Sequence, residues 1–548
     1  MAEAEPAAFP TLSRAQLERL AAYGSLRQVH AGELLFTPSD PGYDFYALLD
    51  AQVVIVNRSA GEEHVIATHG PGRFIGDLGL MTGAKPILTA EVARGGRLIQ
   101  MTPAAFREML DGEAELSRII VDAFLARRAL LEQGEGARIV RIIGSRYMPA
   151  ALRLRQFATR MRLPHVWEDL DDHPDVDALL ASIGVGAGDM PVVVTPTGVM
   201  RKPTPGELAE ALGLAYRPVP GRVYDVAVVG AGPAGLAAAV YAGSEGLSAV
   251  ALDSVGPGGQ AGTSSLIENY LGFPRGISGR ELTERAAAQA QKFGVSITSP
   301  CEVGALEIGS EFHVVHLTGG VEVPARVVVI ASGARYRRLS LEGWEQLEGA
   351  GIYYSATDLE TRACVDRPVL VVGGGNSAGQ AALFLAEHAA RVEIVIRRDT
   401  LAATMSRYLI ARIEGHARIA VRPGTTVTGV HGDATLSHVD LTDEAGTTVR
   451  QECAGLFCFI GAEAATAWLP PEVLLDRSGF VLTDRALAGV GTDAGASGAR
   501  EALPFESSVP GVFAVGDVRH GSTKRVAAAV GEGSAVISSA HQYLSARG

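Results

Sequence analysis

Two glycine-rich turns are the residues of this chain best suited to bind phosphate groups. Residues 226–235 read Val-Ala-Val-Val-Gly-Ala-Gly-Pro-Ala-Gly, and residues 369–378 read Val-Leu-Val-Val-Gly-Gly-Gly-Asn-Ser-Ala. Each is an apolar strand that turns through glycines into a helix, so that the backbone can approach a pyrophosphate and the helix N-terminus can attract it. Two such turns predict two dinucleotide sites. The residues placed at them are Gly230, Gly232, Pro233, Ala234 and Gly235 in the first turn, and Gly373, Gly375, Asn376, Ser377 and Ala378 in the second.

The charged residues that follow each turn predict different ligands. The strand after the first turn ends at Asp253, whose carboxylate suits ribose hydroxyls. The corresponding strand after the second turn ends at Arg397 and Arg398. Paired guanidinium groups suit a 2′-phosphate, which favours NADPH over NADH. The alternative is two solvated arginines at a strand end, and Asp399 beside them keeps it open.

Composition limits the class of protein. At 548 residues the chain should form three to five domains, and its formal net charge of -13 argues against nucleic-acid binding. Its first residues lack a secretion signal, and no apolar run is long enough to span a membrane. The four cysteines include no Cys-x-x-Cys pair. We therefore expect a cytoplasmic chain with reduced thiols, no metal site and no membrane insertion.

Residues 10–133 carry short apolar runs separated by turn residues, with helical stretches at 12–23, 102–110 and 116–131, which predicts a small antiparallel barrel or roll with helices. The run Phe-Ile-Gly-Asp-Leu-Gly-Leu at 74–80 resembles the phosphate-binding segment of cyclic nucleotide-binding domains. The resemblance implies that Asp77 holds a ribose hydroxyl. The family's phosphate-binding arginine is absent here, and the only nearby cation is Lys85, which cannot bind a phosphate bidentately. A degenerate domain kept for packing or dimerisation is the alternative. The implied nucleotide-contacting residues are Gly76, Asp77, Leu78, Lys85 and Thr89.

Residues 137–216 alternate strands and helices in an order that resembles the thioredoxin or glutaredoxin fold. Pro191 stands where that family places its cis-proline. The segment 145–149, Ser-Arg-Tyr-Met-Pro, contains no cysteine, so this domain cannot exchange disulfides. Residues 217–222 read as a linker.

From residue 223 onward the chain resembles the thioredoxin reductase family of flavoproteins, on motifs at 258–260, 267–273, 330–334 and 513–517. The implied fold is α/β with two Rossmann-like domains: an FAD domain over 223–340, an NADPH domain over 341–465, and the FAD domain resumed over 466–548. A homodimer is also implied. Beyond the first glycine turn, the implied FAD-binding residues are Asp253, Gly259, Gln260, Asn269, Val303, Ala331, Gly333, Gly516, Asp517, Lys524, Arg525 and Val526.

The family's redox dithiol, Cys-Ala-Thr-Cys, is replaced here by Ser-Ala-Thr-Asp at 355–358. Neither Ser355 nor Asp358 can form a disulfide. Both are candidate catalytic residues, because Asp358 in a desolvated pocket could relay a proton to reduced flavin. An exposed loop carboxylate is the alternative. Cys453 and Cys458 are predicted to be core residues.

Three functions remain open from the sequence. The first is an NADPH-dependent FAD oxidoreductase that passes electrons from flavin directly to an external acceptor, such as an iron-sulfur protein, a flavodoxin or a quinone. The second is a redox sensor that responds to a cyclic nucleotide. The third is a non-catalytic scaffold that binds flavin.

Overall fold

The structure is a computed structural model that describes all residues except 1–6, 59–62, 83–84, 134–138, 162, 173–174, 265, 355, 357, 363, 434, 490–500 and 548. Its internal contacts divide the chain into two compact units. The first unit comprises Met1–Val228, Ala239–Pro257 and Ala286–Arg326, and the second comprises Val229–Ala238, Gly258–Arg285 and Val327–Gly548.

The N-terminal module is a β-roll of two antiparallel four-stranded sheets packed with helices. Its strands are β1 (Ser25–Val29), β2 (Leu34–Phe36), β3 (Phe45–Leu48), β4 (Gln52–Asn57), β5 (His64–His69), β6 (Phe74–Ile75), β7 (Thr89–Arg94) and β8 (Gly96–Met101). The strand orders are β1-β8-β3-β6 and β2-β7-β4-β5. Its helices are α1 (Arg14–Ala21), α2 (Leu78–Thr82), α3 (Pro103–Gly112) and α4 (Ala114–Gln133).

The second module, residues 137–216, also lies in the first unit. Its elements are β9 (Val140–Gly144), α5 (Pro149–Arg160), β10 (His165–Asp169), α6 (Val176–Ser182), β11 (Val192–Thr195), β12 (Gly198–Arg201) and α7 (Pro205–Ala211). The sheet order is β10-β9-β11-β12, with a parallel β9–β10 pair and antiparallel pairs elsewhere. Buried residues of this module, including Phe157 and Leu208, join one apolar cluster with Leu80 and Met81 of the β-roll.

The elements of the next region are β13 (Tyr224–Val229), α8 (Pro233–Ser244), β14 (Ala249–Leu252), α9 (Gly279–Lys292), β15 (Ser296–Thr298), β16 (Val303–Glu307), β17 (His313–Leu317) and β18 (Glu322–Ile330). Its strands form a larger sheet in the order β15-β14-β13-β18-β17-β16. The β14–β15 pair is parallel and joins residues 250–252 to 296–298, whereas β16, β17 and the start of β18 are antiparallel.

The remaining strands lie in the second unit. They are β19 (Ala334–Tyr336), β20 (Ile352–Tyr353), β21 (Pro368–Val372), β22 (Arg391–Val395), β23 (Ile419–Arg422), β24 (Thr425–His431), β25 (His438–Asp443), β26 (Thr448–Glu452), β27 (Gly455–Cys458), β28 (Ala462–Ala464) and β29 (Val512–Ala514). They form a five-stranded parallel sheet, in the order β20-β27-β21-β22-β23, and an antiparallel sheet, β24-β25-β26. A short pair joins β19 to β28, and β29 lies parallel to the end of β18. The helices are α10 (Trp344–Leu347), α11 (Asp358–Arg362), α12 (Asn376–Leu385), α13 (Arg407–Glu414) and α14 (Val526–Ser545).

One predicted helix begins later than its sequence pattern indicates. The first helix starts at Arg14 rather than residue 12, because Ser13 is its N-cap and accepts a hydrogen bond from the backbone of Gln16. The last helix starts at Val526, because Arg525 has an extended backbone and is the N-cap. The peptide bond before Pro191 is cis, as its position in the sequence predicts.

Candidate functional site

The first glycine turn is shaped by a close backbone approach. Gly230 has φ +105°, and a Cβ built on it would lie 2.3 Å from the carbonyl oxygen of Ala331. A side chain is therefore excluded by both strain and overlap. The amide of Ala331 donates to Val229, which brings the 330–334 segment against the turn.

A second glycine loop lies over the first within the same unit. A Cβ on Gly259 would lie 2.9 Å from the Cα of Gly232, and the amide of Gly258 donates to Ala231 at 2.7 Å. The amide side chain of Gln260 donates to the carbonyl of Ala334. The two loops approach too closely at Gly259 for a side chain there, which is the arrangement that a pyrophosphate cradle needs. Of the other predicted residues here, Asn269 is exposed and Gly333 has φ +67°.

The loop after β29 carries Asp517, a half-buried carboxylate whose pKa burial raises above its usual range. The positive charge of Lys524 opposes this rise in the pKa of Asp517, and its ammonium lies 4.4 Å from the centre of the Phe480 ring. Arg525 caps α14 without a side-chain hydrogen bond, so the first amides of that helix, beginning at Val526, receive no side-chain acceptor from it. A polar ligand at this end would meet those amides and the carboxylate of Asp517.

Glu532 organises this loop, and sequence reasoning did not identify it. Its carboxylate accepts hydrogen bonds from the amide of Gly516 at 2.7 Å, the hydroxyl of Ser522 at 3.0 Å, and the guanidinium of Arg519 at 2.6 and 3.1 Å. A charged residue between two glycines, beside the buried positions Ala529 and Gly533 of the helix, is the signal that could have found it.

Asp253 lies in the first unit, directly after β14 as predicted. Its Oδ1 accepts hydrogen bonds from the amides of Val255 at 3.0 Å and Gly256 at 2.8 Å, and the side chain is half-buried. The loop thus holds the carboxylate in one orientation. Val303, the other predicted residue of this unit, begins β16.

The second glycine turn repeats the first. Gly373 has φ +131°, and a Cβ on it would lie 2.3 Å from the carbonyl oxygen of Phe459. Gly375 is the N-cap of α12, and a Cβ built there meets nothing within 4 Å. Asn376 is engaged by the protein, since its Oδ1 accepts from the amide of Ser406 at 2.8 Å. Ser377 and Ala378 continue α12, and Ala378 is buried.

Arg397 and Arg398 follow β22 and are both exposed. They are therefore accessible to a ligand phosphate. The open space at Gly375 and these cations lie at the carboxyl ends of β21 and β22, the edge at which open α/β sheets bind ligands. This chemistry fits a dinucleotide with an additional phosphate.

The residues that replace the dithiol are described only in part. Ser355 lies outside the described residues, and Asp358 begins the short helix α11. All four cysteines are free and buried. Burial raises the pKa of the Cys364 and Cys453 thiols to about 12, and that of Cys301 and Cys458 to about 11. Thiols of this kind are protonated and poor nucleophiles at neutral pH.

The predicted nucleotide-binding residues of the β-roll contact protein groups. Oδ1 of Asp77 accepts hydrogen bonds from the hydroxyl of Tyr43 and the amide of Gly79. The aliphatic part of Lys85 lies against Gly213 of the second module. A Cβ built on Gly213 would lie 2.6 Å from Cγ of Lys85. Gly76 directly follows β6. Leu78 begins α2 and Thr89 begins β7, and both of these residues are buried.

Residues 224–533, more than half of the chain, match the family of pyridine nucleotide-disulphide oxidoreductases. The chain belongs to this family. Residues 26–113 match the cyclic nucleotide-binding domain, so this oxidoreductase carries such a domain at its N-terminal end.

The relatives of this oxidoreductase include thioredoxin reductases. That of Treponema pallidum is 34% identical over 323 residues, covering 59% of this chain and 97% of the relative. That of Bacillus subtilis is 31% identical over 325 residues, covering 59% and 95%. Thioredoxin reductase structures from Lactococcus lactis and T. acidophilum each superpose with a TM-score of 0.52, at 26% and 29% identity; they cover 58% and 59% of this chain and 98% and 99% of theirs.

Within the part of the chain that the structure describes, no cluster of His, Cys, Asp or Glu could hold a metal ion. Among the same residues, no helix combines the length and apolar character needed to cross a membrane.

Proposed function

We propose that this protein is an NADPH-dependent FAD oxidoreductase that delivers electrons from flavin to an external acceptor without a protein dithiol. The proposal depends chiefly on one combination of observations. Both glycine turns exclude a side chain at Gly230 and Gly373, which supports dinucleotide binding, whereas Ser355 and Asp358 replace the dithiol and all four cysteines are buried. Bound FAD and NADPH would supply hydride transfer.

Within the second unit, FAD would be held by the glycine turn and by Asp517 with the α14 N-terminus at the flavin end. Asp253 of the first unit is assigned to the ribose by its place in the sequence motif. The second site would be held by Gly373, Gly375 and the paired arginines Arg397 and Arg398, which give it preference for NADPH. We infer that the FAD domain spans 223–340 and 466–548, that the NADPH domain spans 341–465, and that the protein is a homodimer. The acceptor is a redox protein or a small molecule.

The test is a reduction assay on the purified full-length chain. We expect a yellow protein that NADPH bleaches faster than NADH does, that a redox dye reoxidises, and that shows no thioredoxin-linked disulfide reduction. A colourless protein after incubation with FAD would refute the proposal.

Asp358→Asn tests whether Asp358 relays a proton to reduced flavin. Slower reoxidation with unchanged FAD content supports this role, and unchanged turnover with several acceptors rejects it.

A cyclic nucleotide-responsive redox sensor is the second candidate, supported by the match over residues 26–113. The contacts of Asp77 and Lys85 with protein groups favour instead a β-roll used for packing. A change in the bleaching rate on addition of cyclic AMP or cyclic GMP would decide for the sensor.

A further inference from the structure

The cysteine-free second module reaches the loop that carries Asp253. Gly256, whose amide donates to Oδ1 of Asp253, lies against the end of α5. A Cβ on Gly256 would lie 2.9 Å from Cβ and 3.3 Å from the carbonyl carbon of Arg160. Only glycine permits this approach without displacement of one of the two backbones.

The end of α5 is itself anchored on its other side. The guanidinium of Arg128, on α4 of the β-roll, donates to the carbonyl of Met161 at 3.0 Å. Apolar packing also holds the end of α5, since Phe157, Ala158 and Leu163 share an apolar cluster with Ala288 of α9. The α5 terminus is therefore fixed between α4 and the Asp253 loop.

A second contact reaches Asp253 from the end of the same module. The amide of Cys301 donates to the backbone carbonyl of Asp253 at 2.7 Å. Burial raises the pKa of the Cys301 thiol, and the nearby backbone of Tyr216, the last residue of the module, opposes that rise. Gly256 thus connects the carboxylate of Asp253 to the second module, and Cys301 connects the backbone of Asp253 to it.

We propose that the second module is a brace that positions Asp253 for the adenosine ribose of FAD. Arg128 and Gly256 are its positioning residues, and they act through Asp253 rather than by contact with the cofactor. The inference rests on the proposed FAD site. It assigns the module a role in cofactor affinity that needs no cysteine.

The test measures flavin binding to the full-length apoprotein. Gly256→Ala should raise the FAD dissociation constant about tenfold, whereas its effect on FMN, which has no adenosine, should be absent. Gly319→Ala is the matched control, because a Cβ there meets nothing within 4 Å. Arg128→Ala should act in the same direction, Arg128→Lys should restore part of the affinity, and Arg118→Ala, on the exposed side of the same helix, should have no effect.

A loss of FAD affinity with unchanged FMN affinity supports the brace. Equal losses for FAD and FMN would show general loosening and overturn it, as would unchanged FAD affinity in both Gly256→Ala and Arg128→Ala. If the wild-type protein binds FAD and is bleached by NADPH while the variants match it, only this inference fails. If the wild-type protein binds no FAD, the proposed function fails with it.

Discussion

Arg519 and Glu532 are joined by two hydrogen bonds, from Nη2 to Oε1 at 2.6 Å and from Nε to Oε2 at 3.1 Å. Their side chains are only 18% and 12% exposed. The same carboxylate holds the amide of Gly516, next to Asp517. The pair therefore ties the loop after β29 to α14, and this loop carries part of the proposed flavin site.

Glu532→Gln should destabilise this region, because it removes the hydrogen-bonded counter-charge of the largely buried Arg519 guanidinium. Loss of one partner of a buried pair costs about 3 kcal/mol. We expect a lower thermal midpoint and faster loss of FAD on desalting. Glu472→Gln, at an exposed site, is the control. Equal midpoints for the two variants would contradict the role given to the pair.

The two glycines of the second turn should respond differently to alanine. Gly373→Ala forces a Cβ into the carbonyl of Phe459 and an unfavourable φ, so it should lower the thermal midpoint. Gly375→Ala meets open space and should leave the midpoint unchanged while raising the KM for NADPH. Steady-state kinetics and thermal unfolding of both variants measure this. A normal KM in Gly375→Ala would remove the nucleotide from that position.

Arg397→Ala and Arg398→Ala should each raise the KM for NADPH about tenfold and leave that for NADH unchanged, because a charge-assisted phosphate contact is lost. The exposed Arg477, outside the proposed NADPH domain, provides the control variant Arg477→Ala. Equal effects on the two coenzymes would show that the arginines do not recognise the 2′-phosphate.

His69 should make the β-roll sensitive to acid. It is buried, and burial followed by the charges of Arg127 and Arg73 lowers its pKa to about 3. Between this value and the unfolded pKa of about 6.5, the unfolded state binds the extra proton. The contribution of His69 to the free energy of unfolding is therefore complete above about pH 6.5, and it falls by about 1.4 kcal/mol for each pH unit below that value.

Replacement of this histidine checks the assignment. His69→Gln should flatten the dependence of the urea midpoint on pH between about 6.5 and 4. His30→Gln, at an exposed site, should keep the wild-type slope. Identical slopes in the two variants would contradict the assignment to His69.

Much of the architecture is predictable from local patterns. The glycine turns, the strand ends at Asp253 and Arg397, and the roll of short strands all follow from periodicity and turn chemistry, which act over a few residues. The contacts of Lys85 with Gly213 and of Arg160 with Gly256 are not predictable, because they join segments far apart in sequence and a glycine gives no sign of its neighbour. Glu532 was missed for the same reason: its partners come from the preceding loop, and its helix pattern alone indicates only a buried charge.

The most direct test of the central claim follows the flavin absorbance of the FAD-loaded full-length protein under anaerobic conditions. NADPH is added first, then either oxidised thioredoxin or a redox dye. We predict bleaching by NADPH, recovery of absorbance with the dye, and no recovery with thioredoxin. Rapid recovery with thioredoxin would show that electrons leave through a dithiol route and would contradict the account.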